Sequence, residues 1–224
     1  MKADLCAFLK AAVRRPAVIG AFAPTSEMLA AQLAEVVPRR GAPTVLELGP
    51  GTGAVSGLIR SRLPRDARYV AVEVDREMVD HLVATRPWLE VLHLDAAELD
   101  SRIGAGQVDA VVSALPWTLI PERTQGRIIE AVARVLAPGG SFTTIAYLTG
   151  TPFGPGKRFR RRLGASFDEV LTTRTVWRNL PPARTYVCRR PITPGPDGQG
   201  VPLGRLRTWP VRTGSGVRRW RGRS

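Results

Sequence analysis

The stretch TVLELGPGTGAVSGLIRSRL, residues 44–63, decides the fold. A short apolar strand, TVLELG (44–49), runs into three alternate glycines, Gly49, Gly51 and Gly53. Helical spacing follows in AVSGLIRSRL (54–63). Glycines at such a strand-to-helix turn allow a tight bend and let the backbone approach a ligand closely.

Downstream the same alternation continues. RYVAVEVD (68–75), LEVLHLD (89–95), VDAVVSAL (108–115) and SFTTIAYL (141–148) read as strands. REMVDHLVAT (76–85), AAELDSRI (96–103) and ERTQGRIIEAVARVL (122–136) read as helices, with Asp75 as the N-cap of the first. Strands alternating with helices predict an α/β, Rossmann-like fold: a mostly parallel sheet with helices on both faces. The pattern then changes. FGPGKRFRRR (153–162) reads as a basic loop or short helix. FDEVLTTRTVW (167–177) and RTYVCRR (184–190), joined by NLPPA (179–183), predict an antiparallel pair closing the sheet, with Trp177 in the core.

Upstream, a helix is expected from Ser26 to Val37, capped by Thr25 or Ser26. Residues 2–15 read as an amphipathic helix. Its apolar stripe holds Leu5, Phe8 and Leu9, with Lys2, Lys10, Arg14 and Arg15 around it. Three regions follow: N-terminal helices over 1–40, a ligand-binding domain over 41–190, and a disordered tail over 191–224 rich in Pro, Gly and Arg.

Composition narrows the function classes. No run reaches the roughly 18 apolar residues of a membrane span, and no signal peptide is expected. A cytosolic compartment follows. Two cysteines and two histidines leave no material for a disulfide framework or a metal centre. Residues 1–150 balance 16 Lys+Arg against 16 Asp+Glu, whereas 151–224 hold 17 against 3. The whole net charge of +14 therefore lies in the last third. Such asymmetry points to an anionic partner, nucleic acid or an acidic membrane surface, or to a solvated Arg-rich tail.

The glycine turn alone also fits a dinucleotide fingerprint, with Glu73 about 20 residues on for a ribose. Glu47, two residues before the first glycine, discriminates. A carboxylate there repels a pyrophosphate and attracts a cation. S-adenosylmethionine carries a sulfonium and an ammonium and so suits it. Glu73, ending its strand, reads as a bidentate acceptor for two ribose hydroxyls. Asp95 reads as an acceptor for an adenine amino group with the Ala96 N–H donating to the ring, or as an N-cap; the two are compatible. SALPW (113–117) ends the fourth strand opposite the glycine turn. Ser113 joins the cofactor set there. The Leu115 carbonyl would face the cleft, with Pro116 and Trp117 as its wall. Tyr147 ends the fifth strand at the same edge. His81 and His93 read as solvated or satisfied side chains.

ELGPGTG, VAVEVD, LHLDAAEL, DAVVSALPW and VLAPGGSF occur in the order found in class I S-adenosylmethionine-dependent methyltransferases, which residues 44–148 resemble. FLKAAVRRPAVIGAFAPTSEMLA (8–30) and VWRNLPPARTYVCRR (176–190) look more narrowly like bacterial phospholipid N-methyltransferases, which convert phosphatidylethanolamine to phosphatidylcholine. ELGPGTG also resembles ribosomal RNA adenine dimethyltransferases. The chain departs from their Asn-x-Pro-aromatic motif, having Ser113-Ala114-Leu115-Pro116 instead.

The resemblance implies a seven-stranded sheet with its last strand antiparallel, and S-adenosylmethionine held by Glu47, Gly49, Gly51, Glu73 and Asp95. It places Thr25 and Ser26 where an N-terminal helix closes over the cofactor. It also lays the first helix on the membrane. The expected reaction is in-line methyl transfer to a neutral lipid amine, with the Leu115 carbonyl and the Tyr147 hydroxyl as acceptors. A monomer is expected, peripheral on the cytoplasmic membrane and binding an anionic surface and an aminophospholipid. Methylation of RNA or a small molecule, and a non-catalytic binding module, are the alternatives.

Overall fold

A computed structural model describes residues 25–148 and 155–192. The helix expected over 2–15 and all but the first two residues of the tail expected from 191 lie outside the described residues.

The alternating patterns build seven strands. They are β1 (Thr44–Leu48), β2 (Arg68–Glu73), β3 (Glu90–His93), β4 (Val108–Ser113), β5 (Leu136–Tyr147), β6 (Phe167–Thr172) and β7 (Ala183–Pro191). They form one sheet in the order β3-β2-β1-β4-β5-β7-β6. The first five run parallel, and β7 is antiparallel to both β5 and β6. This is the seven-stranded Rossmann-like arrangement that the resemblance implies. Strand order reverses between β1 and β4, the switch point where open α/β sheets bind ligands at the carboxyl ends of their strands.

Helices α1 (Glu27–Leu33), α2 (Ser56–Arg62) and α3 (Arg76–Thr85) cover one face, and α4 (Glu122–Val135) and α5 (Pro155–Ser166) the other. Because strand side chains alternate, β1 sends Val45 to the first layer, with Leu29, Leu33, Ile59 and Leu82. It sends Leu46 and Leu48 to the second, with Ile128, Val132 and Leu163. Ser26 caps α1, and Asp75 caps α3 through Glu77 N–H at 2.9 Å.

The chain departs from its sequence reading at four places. Helix α4 stops at Val135, and β5 begins at Leu136 rather than at 141. Leu136 pairs with Val108, then the register shifts, and Gly140 lies against the Val108 carbonyl where a Cβ would come within 2.9 Å. The basic segment forms a full 12-residue helix, α5, because Phe159 and Leu163 share one face and both are buried. The link between β6 and β7 is longer than a five-residue turn: regular pairing stops at Thr172 and resumes only as a bridge from Val176 to Ala183. The bridge turns Val176 inward, 1% exposed, and Trp177 outward, 75% exposed. The expectation that Trp177 lies in the core is therefore corrected.

Candidate active site

Strand β1 ends in the glycine turn, and three neighbouring elements hold that turn in place. Gly49, Gly51 and Gly53 all have positive φ, at 67°, 55° and 80°. Gly49 donates to the Val72 carbonyl at 3.0 Å and lies beneath Leu115. The Gly51 N–H donates to Glu73 Oε2 at 3.1 Å. The Arg86 guanidinium, from the end of α3, donates to the Gly53 carbonyl at 3.1 Å and fills the space a Cβ there would need. Among the described residues, no atom lies within 4 Å of where a Cβ on Gly51 would stand.

Glu47 projects into the α1–α3 layer and is fully buried. Its Oε2 accepts from Tyr69 Oη at 2.5 Å and Ser56 Oγ at 2.6 Å, while Oε1 has no partner among the described residues. Burial raises its pKa, against the opposing pull of the two hydroxyls and Arg86. Burial and the Glu47 carboxylate together hold the Tyr69 phenol protonated. A buried carboxylate oxygen without a donor is costly, and a ligand bearing cationic N–H groups would supply one. The donor set thus fits the cationic methionine portion of S-adenosylmethionine.

Glu73 is 8% exposed at the end of β2. Oε1 accepts from the Val74 and Asp75 N–H groups at 2.9 and 3.0 Å and, among the described residues, Oε2 accepts only from Gly51. With two acceptor sites per oxygen, the bidentate ribose reading narrows to Oε2. Burial raises this carboxyl's pKa as well, opposed by the three backbone donors.

Glu73 faces His93 across the β2–β3 ladder, and Leu94 N–H donates to the Glu73 carbonyl, so Asp95 comes to the same edge. Asp95 Oδ1 caps the following turn through Ala97 N–H at 2.9 Å, beside buried Ala96. Ser113 ends β4 fully buried, its Oγ accepting from Leu115 N–H at 3.3 Å.

One reading in the SALPW loop is corrected, that of Trp117. The Leu115 carbonyl accepts Trp117 N–H at 3.0 Å across Pro116, whose φ of −79° and ψ of 75° form an inverse γ-turn. That bond takes one of the carbonyl's two acceptor sites, and the Leu115 side chain lies over Gly49. Trp117 is 4% exposed, bonds Thr144 Oγ1 through Nε1 and packs on Phe159 with centroids 4.7 Å apart. It belongs to the core and forms no pocket wall. Pro116 is half-buried above it.

Tyr147 stands half-buried at the end of β5, on the α1 side, opposite Ala183 of β7. Burial pushes its pKa up to about 12. Thr25 and Ser26 reach this edge through a contact the sequence did not reveal: Ser26 N–H donates to Oδ1 of buried Asn179 at 3.0 Å. Asn179 in turn donates to the Pro181 carbonyl at 2.8 Å. Ser56, Tyr69 and Arg86 also escaped the sequence reading. Only the shared alternation of Tyr69 and Glu73 on β2 carried a signal for any of them. Among the described residues no His/Cys/Asp/Glu cluster could hold a metal.

A methyltransferase domain model matches residues 45–140. The chain is 34% identical over 192 residues to an ornithine lipid N-methyltransferase of Singulisphaera acidiphila, covering 83% of this chain and 96% of that protein. It is 33% identical over 102 residues to a ribosomal RNA small subunit methyltransferase A of Acidobacterium capsulatum, covering 43% of this chain and 35% of that one. A 16S rRNA methyltransferase of T. thermophilus, solved with AdoMet and guanosine, shares the fold with a TM-score of 0.56 at 22% identity, over 83% of this chain and 43% of its own. S-adenosylmethionine is the cofactor that this family and the glycine turn share. A relative matched over nearly its whole length joins the geometry in one answer: the chain belongs to the class I S-adenosylmethionine-dependent methyltransferases.

Proposed function

We propose that the enzyme N-methylates the headgroup amine of a phospholipid, phosphatidylethanolamine towards phosphatidylcholine, at a membrane surface. The observation that carries this reading is the extent of the lipid N-methyltransferase match. It covers 192 residues, whereas the ribosomal RNA methyltransferase match stops at 102. The ornithine lipid of that relative and phosphatidylethanolamine present the same chemistry, a primary amine on a lipid.

Bound S-adenosylmethionine supplies a methyl group on a sulfonium as electrophile. The chain's part is to position the reactants and exclude water. Glu47 would hold the cationic end of the cofactor, Glu73 Oε2 a ribose hydroxyl, and Asp95 with the Ala96 N–H the base. Thr25 and Ser26 would close the site. Tyr147 would orient the acceptor amine by hydrogen bonding. Its phenol stays protonated at neutral pH, so it holds the amine without acting as a fixed base, and the amine's proton leaves to solvent.

Peripheral attachment would come from the basic residues. On α5, Lys157, Arg158, Arg160 and Arg161 are exposed, and Glu122 pairs with Arg158 and Arg162. Residues 2–15, read as amphipathic, would add Lys2, Leu5, Phe8, Leu9, Lys10, Arg14 and Arg15. No described helix is long and apolar enough to cross a membrane.

The test is methyl transfer from radiolabelled cofactor to vesicles containing phosphatidylethanolamine or ornithine lipid, and to ribosomal RNA. Label in phosphatidylethanolamine supports the reading, and label only in ornithine lipid keeps the lipid amine but changes the headgroup. Label only in RNA overturns the reading.

A further inference from the structure

We infer that the segment between β6 and β7, residues 173–182, is a docking surface for an anionic lipid bilayer, with Trp177 and Leu180 as its membrane-inserting side chains. The inference rests on the lipid-acceptor reading above. Its starting point is an inversion of ordinary burial. Within four residues, polar Asn179 is 2% exposed while Trp177 and Leu180 are 75% and 71% exposed. A single exposed apolar residue needs no explanation. Two large ones flanking a buried asparagine on a braced turn do, because folding alone does not favour that arrangement.

The brace is specific. Val176 exchanges backbone hydrogen bonds with Ala183, and Asn179 N–H donates to the Val176 carbonyl. The Asn179 side chain ties the turn to Ser26 and Pro181. The two apolar side chains are therefore presented on a held turn, which lowers the ordering cost of docking.

Position and charge identify the occupant. Ala183 pairs with Tyr147, and Leu148 N–H donates to the Pro182 carbonyl at 2.8 Å. The segment therefore lies at the carboxyl edge of the sheet, beside the residue assigned to the acceptor amine. Leu148, 36% exposed, adjoins it. Arg174 and Arg178, both exposed, flank the apolar pair, and no carboxylate among the described residues forms an ion pair with either. Tryptophan favours the membrane–water interface, and arginines beside it suit anionic headgroups. Docked this way, the cleft would open onto the headgroup layer, where a lipid amine resides. Two side chains give reversible attachment, as turnover requires.

The experiment uses the full chain and vesicles of phosphatidylcholine with or without phosphatidylglycerol. Trp177→Ala with Leu180→Ala should weaken flotation with phosphatidylglycerol vesicles by at least about tenfold, with cofactor affinity unchanged. Brominated acyl chains should quench wild-type tryptophan fluorescence, and Trp177→Phe, a milder change that keeps an apolar side chain, should lose that quenching. Arg174→Ala with Arg178→Ala should weaken binding to phosphatidylglycerol vesicles more than to neutral ones. Vesicle affinity within twofold of wild type in the first variant, or equal quenching in wild type and Trp177→Phe, would overturn the docking surface. A wild type that docks through Trp177 yet methylates no lipid would overturn the acceptor assignment and leave the docking surface standing.

Discussion

Leu115 covers Gly49 so closely that a Cβ at position 49 would come within 2.7 Å of Leu115 Cδ2. The contact joins the β1 loop to the β4 loop across the switch point of the sheet, so the two loops set each other's position. Gly49→Ala would carry two penalties, a strained positive φ worth about 1–2 kcal/mol and displacement of Leu115. Cofactor affinity should fall at least about tenfold, the equivalent of some 1.4 kcal/mol. Adding Leu115→Ala should recover only the steric part. Calorimetric titration of both single variants and the double variant gives the coupling; strict additivity would show that the contact is unimportant.

The strands, the glycine turn and the Asp75 cap were legible because local patterns specify them. Trp177 and Trp117 were not. Whether a tryptophan packs inward depends on register, and the Val176–Ala183 bridge beyond the regular β6–β7 pairing turns Trp177 outward. Trp117 is drawn inward by Thr144 and Phe159, the latter on a helix whose sequence shows too little periodicity to place. Arg86 and Asn179 come from the ends of other elements, 33 and 153 residues from their partners Gly53 and Ser26. No spacing rule reaches so far. The turn at Pro116, which a sequence marks only as the end of a strand, brings the Trp117 N–H onto the Leu115 carbonyl.

Cofactor affinity should depend on pH through Glu47. Its folded pKa lies above the ordinary carboxylate value of 4.5 because burial penalises the anion. The cost of the buried charge is present above the folded pKa and disappears below 4.5, so this group makes the cofactor-free protein more stable as pH falls between the two. A cationic ligand needs the anion, so cofactor binding should change in the opposite direction. Below the folded pKa, the dissociation constant should rise by about tenfold per pH unit for this linked proton. Glu73 is shifted in the same direction and steepens the same limb. Glu47→Gln should bind cofactor more weakly at neutral pH and show a shallower acid limb. An unchanged limb would exclude Glu47 as its source.

Trp117→Phe separates a core residue from a pocket wall. The substitution removes the donor to buried Thr144, leaving a hydroxyl unsatisfied at a cost of about 1–3 kcal/mol. The tilted ring contact with Phe159 survives in part. Denaturant unfolding should show a loss of that size, while KM for the acceptor stays within about twofold, below 0.5 kcal/mol. A raised KM with unchanged stability would return Trp117 to the substrate pocket.

Tyr147 gives two distinct pH profiles according to its role. Burial places its pKa near 12, so the phenol remains neutral throughout the usual assay range. If it orients the amine, the rate of the wild type should rise with pH as the acceptor loses its own proton and then level off. Tyr147→Phe should lower kcat by about 10- to 100-fold, the worth of a positioned hydrogen bond in a dry site. The reduction should be the same at every pH, with cofactor affinity unchanged. A tyrosinate acting as base would instead keep the wild-type rate climbing towards pH 12 and make the variant's deficit widen along that limb. The ratio of the two rates across pH decides between holding the amine and deprotonating it, and the buried, protonated phenol favours holding.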